Sequence, residues 1–109
     1  MNISELVERA GSNAKAKGFH DVDRSFGDVC ALIHSEVTEA FEDYRNGYRV
    51  DETYYTRGTK LGGVPSELAD IVIRVADACW QYGIDLEAVL QEKMNYNEGR
   101  TYMHGGKAL

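Results

Sequence analysis

From Glu67 to Tyr82 the polar side chains are Glu67, Asp70, Arg74, Asp77 and Gln81, and every other residue is apolar. At about 100° per residue these positions project within a strip about 80° wide on a helix. A helix this apolar around the rest of its circumference has to be covered on several sides. A chain of 109 residues has few other helices to do the covering. The pattern therefore predicts a homo-oligomer, built on an all-α fold.

The remaining segments carry the same period. Ile3, Leu6, Val7, Ala10 and Ala14 mark a first helix that stops at Gly18. Phe26, Val29, Cys30, Ile33, Val37, Ala40, Phe41 and Tyr44 mark a long second helix, starting near Ser25 and closed by Asn46-Gly47. A third helix opens at Val64-Pro65-Ser66, with Pro suited to the first turn and Ser able to cap it, and ends at Tyr82-Gly83. A fourth opens at Asp85 and runs through Leu86, Val89, Leu90 and Met94 toward Asn97. No segment shows strand alternation, and no linker or repeat divides the chain. The expectation is one domain over residues 1–109, a small helical bundle with helices two and three as its long central pair.

Residues 48–63 connect that pair and hold Tyr48, Tyr54, Tyr55 and the pair Gly62-Gly63. A connection this long reads equally as a mobile flap able to stack on a ring or as a disordered crossover.

Charge excludes some functions. Twelve basic residues against 18 acidic ones give a formal net charge of -6, which opposes general nucleic-acid binding. No apolar run approaches the roughly 20 residues of a membrane span, and the first residues lack a secretory pattern. A cytoplasmic protein is the expectation. Cys30 and Cys79 form no CxxC pair and fall on apolar helical positions, so both read as buried free thiols.

The acids are ordered. Glu36 and Glu39 lie at i and i+3 on helix two, on one flank of its apolar stripe, and Asp43 follows a turn later. Glu67 and Asp70 repeat the spacing on helix three. A carboxylate pair from each of two neighbouring helices makes an oxygen-rich pocket suited to Mg²⁺, with Mn²⁺ as the alternative, because a divalent cation relieves the repulsion among the acids. Taken singly, each pair reads better as a solvated helix face. A di-iron carboxylate site would need ExxH pairs that are absent here. Lys93 and Asn97 share a face of helix four at i and i+4, with Arg100 one turn on, and their chemistry suits phosphate oxygens. His20 and His34 read as surface or capping residues, Trp80 as packing, and Asp77 as a partner of Arg74.

Taken in order, Ser35-Glu36-Val37-Thr38-Glu39-Ala40, Pro65-Ser66-Glu67-Leu68-Ala69-Asp70-Ile71-Val72-Ile73-Arg74, Lys93-Met94-Asn95-Tyr96-Asn97-Glu98-Gly99-Arg100 and His104-Gly105-Gly106-Lys107 resemble the MazG-type nucleotide pyrophosphohydrolases of the all-α NTP pyrophosphatase superfamily. The resemblance covers nearly everything from helix two to Leu109. It implies that Glu36, Glu39, Glu67 and Asp70 hold Mg²⁺ against a nucleoside triphosphate. It further implies that water attacks the α-phosphorus, releasing a nucleoside monophosphate and pyrophosphate. It implies that Lys93, Asn97, Arg100 and Lys107 bind the substrate. Ser35 stands where many relatives carry a further glutamate, the general base of the related dimeric dUTPases, and Thr101 stands where a proline is frequent. A dUTPase, a phosphoribosyl-ATP pyrophosphohydrolase and a non-catalytic helical nucleotide-binding or interaction module are the rival readings.

Overall fold

Short-range signals decide where each helix begins and ends. In the computed structural model, which describes residues 1–101, α1 spans Ile3–Ala16 and starts where the Asn2 side chain accepts the Glu5 N–H at 2.8 Å. Gly18, at φ +82°, turns the chain out of α1 into a 3₁₀ turn over Phe19–Asp21. Helix α2 spans Phe26–Arg45 and opens with a reciprocal cap, in which Ser25 and Asp28 each accept the other's backbone N–H at 3.1 and 2.9 Å. Helix α3 spans Val64–Tyr82 and stops at Gly83, which takes the left-handed φ of +66°. Helix α4 spans Leu86–Glu98, with Asp85 accepting the Ala88 N–H at 3.1 Å. Ser66 does not cap α3 as expected. The cap position is Gly63 at φ +110°, where an added Cβ would lie 2.5 Å from the Glu52 carbonyl oxygen, and Pro65 sits in the first turn.

The chain is mostly helical, as expected, and one small sheet is added to the helices. Residues 48–63 are not the disordered crossover that was one of the two expectations. They fold a hairpin of β1 (Tyr54–Thr56) and β2 (Lys60–Gly62), antiparallel, with Tyr54 opposite Gly62 and Thr56 opposite Lys60. Arg57 and Gly58 both take positive φ, 54° and 75°, and the Thr59 N–H bonds the Thr56 carbonyl at 3.2 Å. Positive φ at both central residues is what a tight hairpin turn needs to match strand twist. Strands of three residues are too short to show alternation, which is why the sequence pattern missed them. The tyrosines stack on each other: the Tyr48 and Tyr54 rings lie 4.4 Å apart.

Helix α3 is the centre of the domain and packs on both α1 and α2. Its contact with α1 is close, because Gly11 leaves room for the Trp80 ring. The buried apolar residues are small: Ala10, Val29, Ala40, Val64, Ala76, Ala78 and Cys79. Cys30 is only half-buried, against expectation, because the α2 face that carries it is incompletely covered. Helix α4 has no buried residue; it packs against α1, where the Ser4 hydroxyl donates to Glu87 at 3.2 Å. The radius of gyration is 16.4 Å, against about 13 Å for a closed domain of this length. Among the described residues no helix is long and apolar enough to cross a membrane.

Candidate functional site

The packing of α2 on α3 brings the two acidic motifs face to face. Glu36 from α2 and Glu67 and Asp70 from α3 each offer a carboxylate oxygen within 4.8 Å of the others. Glu36 is 7% exposed. No hydrogen-bond donor reaches its buried Oε2 or the buried Oε2 of Glu67. The other carboxylates of the set stand around them, and a proton or a divalent cation would relieve their mutual repulsion. Glu39, one turn along α2 and exposed, joins the edge of the cluster through contacts with Glu36 and Glu67.

Charge is divided unevenly across the set. Burial pushes Glu67 up, the Glu36 and Glu39 carboxylates push it further, and it reaches about 8. Burial also opposes ionisation of Glu36, but the Arg74 hydrogen bond and charge, with the contacts from Glu67 and Glu39, hold Glu36 below the usual carboxylate range. Asp70 is raised by burial and by the Glu36 charge, against the pull of Arg74. The cluster thus holds a proton near neutral pH, one that a divalent cation can replace. An all-oxygen donor set with two unpartnered buried oxygens fits Mg²⁺ or Mn²⁺.

Arg74 donates from Nε to Oε1 of Glu36 at 2.8 Å, so the expected Arg74–Asp77 pair is not formed. Asp77 instead accepts from Gln81 at 3.1 Å and lies 2.8 Å from Nε2 of His20. The buried Glu36 on the next helix is the better partner for Arg74 than a neighbour on its own helix. His20 is correspondingly not a surface residue: its side chain is 15% exposed and stacks on Trp80 at 5.5 Å. Trp80 packs as expected and also donates its indole N–H to Glu8 at 3.0 Å. His34 is exposed.

A cleft of about 300 Å³ runs from the acids toward α1, lined by Asn13, Lys17, Phe19, Glu36, Asp70 and Arg74. The hairpin sets Tyr54 against α2, where the Tyr54 hydroxyl donates to Asp43 at 2.8 Å. That bond, followed by burial and the nearby charges of Asp43, Tyr48 and Glu67, pushes the phenol up to about 12. Arg74 was legible in sequence as the cation one turn beyond Asp70. Tyr54 stood out only as one of the tyrosines of the connection, and nothing in the sequence tied it to Asp43.

Among the described residues, Lys93, Asn97 and Arg100 are not gathered with the acids. Lys93 places Nζ 5.0 Å from the Tyr96 ring centre and Arg100 its guanidinium carbon 5.6 Å from the same ring; Asn97 is exposed beside them. All three belong to α4 and the residue pair that follows it, whose packing is against α1 rather than the α2–α3 seam. Lys107 and the preceding His104-Gly105-Gly106 lie outside the described residues. No protein-family model, curated protein or solved structure matches this chain.

Proposed function

We propose that this chain is a Mg²⁺-dependent nucleoside triphosphate pyrophosphohydrolase of the MazG type, with Mn²⁺ able to replace Mg²⁺. The observation that carries the reading is the pair of buried, donor-less oxygens on Glu36 and Glu67, set against Asp70 across the α2–α3 seam. Glu36, Glu67 and Asp70 would hold the cation, with Glu39 at the edge. When bound, the cation supplies neutralisation of the triphosphate and a more acidic water. Glu39, exposed at the rim, is open to accept a proton from solvent water, while Arg74 keeps Glu36 ionised. Attack on the α-phosphorus forms one P–O bond to the water oxygen, breaks the α–β anhydride, and releases monophosphate and pyrophosphate.

The active form in this reading is a homodimer or a dimer of dimers. Leu68, Val72 and Ile73 on α3 and Val37 and Phe41 on α2 are about half exposed, an apolar face that favours a second copy. A second copy is also the route by which Lys93, Asn97 and Arg100 would reach the phosphates over the acids.

The test is incubation of the chain with Mg²⁺ and each common NTP and dNTP, resolving the nucleotide and phosphate products. Monophosphate with pyrophosphate, lost in chelator and in Asp70→Asn, is the expected result. Intact nucleotide with well-folded, metal-loaded protein would overturn catalysis and favour a binding module.

A further inference from the structure

Glu36 is the most buried member of the acidic set, with a side chain 9% exposed, and its two oxygens have different surroundings. Oε1 takes the Arg74 Nε–H at 2.8 Å; Oε2 has no donor. Arg74 is itself constrained. Its guanidinium carbon lies 5.5 Å from the Phe19 ring centre, and Arg24 lies 4.0 Å from the same centre. Arg24 also donates to the Phe19 carbonyl. A continuous series of contacts therefore runs from the turn after α1, through Phe19 and Arg74, to one oxygen of Glu36.

We infer that Arg74 is a positioning residue for the metal site: by holding Oε1 it locks the Glu36 carboxylate so that Oε2 is the oxygen available to the cation. The inference rests on the metal reading above. A guanidinium suits the task because its planar fork delivers Nε from a fixed direction while its face rests on an aromatic ring. Two effects of Arg74 oppose each other. Its positive charge repels a divalent ion, so removing it would tighten metal binding. Its hydrogen bond orients the ligand, and loss of such outer partners commonly weakens metal binding by roughly 10-fold to 100-fold. A bond of 2.8 Å to a side chain this buried makes orientation the stronger effect.

The test is titration of the full chain with Mn²⁺ alone, following free Mn²⁺ by electron paramagnetic resonance, for wild type and for Arg74→Met, Arg74→Gln and Arg74→Lys. Arg74→Met is expected to bind Mn²⁺ at least about tenfold more weakly, with Arg74→Gln and Arg74→Lys between it and wild type because each keeps a donor. Circular dichroism verifies that helix content is retained. Equal or tighter binding by Arg74→Met overturns the inference. If Arg74→Met does not fold, Gln and Lys variants that both bind as wild type overturn it instead. Wild-type protein that binds no Mn²⁺ overturns the metal reading and this inference together, which separates the two failures.

Discussion

Asp77, in the middle of α3, and His20, in the turn after α1, meet at 2.8 Å with side chains only 8% and 15% exposed. This contact fastens the α1 turn to the central helix, and Asp77 also lines the cleft beside the acids. Without His20, Asp77 would keep a single side-chain donor, Gln81. His20→Ala is expected to cost roughly 1–3 kcal/mol, the usual penalty for leaving a buried polar group short of a partner. Urea denaturation measures it, and a change within error would show that the contact contributes nothing.

Gly11 gives a prediction opposite in sign to helix propensity. Replacing a helical glycine by alanine ordinarily gains about 1 kcal/mol. Here a Cβ on Gly11 would stand 2.0 Å from Cγ of Trp80. Gly11→Ala should therefore destabilise the chain, by about 1–3 kcal/mol as α1 and α3 are forced apart. A rise in melting temperature for this variant would contradict the close packing.

Glu67 links stability to pH. Its folded value of about 8 stands above the ordinary 4.5, so between those values the folded chain holds a proton that the unfolded chain has released. The contribution is complete below pH 4.5 and is lost as pH rises toward about 8. Glu36 is shifted the other way, so its contribution is present above the ordinary carboxylate range and is lost on acidification. In chelator, stability should fall from pH 6 to pH 8, and Glu67→Gln should flatten that slope. Denaturation curves at the two pH values decide the matter; a wild type more stable at pH 8 would rule out this protonation.

The same proton should appear in metal binding. A cation that takes the Glu67 oxygen displaces it, so Mg²⁺ or Mn²⁺ should release about one proton per site at pH 7 and bind more tightly as pH rises to 8. Calorimetric titration in buffers of different ionisation enthalpy reads the number released. Binding without proton release would place the ion elsewhere.

The exposed apolar face of α3 predicts self-association. Sedimentation should give at least twice the 12.2 kDa of one chain, and Val72→Glu, placed on that face, should shift the mass toward the monomer. A wild type that sediments as a monomer at all concentrations would remove the partner copy from the functional reading.

What the sequence by itself determined is local. The four helices, the Ser25 cap, the Asp85 cap and the Gly83 stop follow from interactions within four or five residues, which any window of the chain contains. The two carboxylate pairs are equally local, because i and i+3 share a helix face wherever the helix goes. Only the tertiary structure decided which charges meet. Arg74 bonds Glu36 across 38 residues, His20 meets Asp77 across 57, and the hairpin carries Tyr54 to Asp43 across 11. Each partner chosen lies on a different element from the nearest candidate in sequence. A buried carboxylate takes the cation or donor that packing delivers to it, since no solvent remains to satisfy it, and that choice exists only once α2, α3 and the hairpin have closed together.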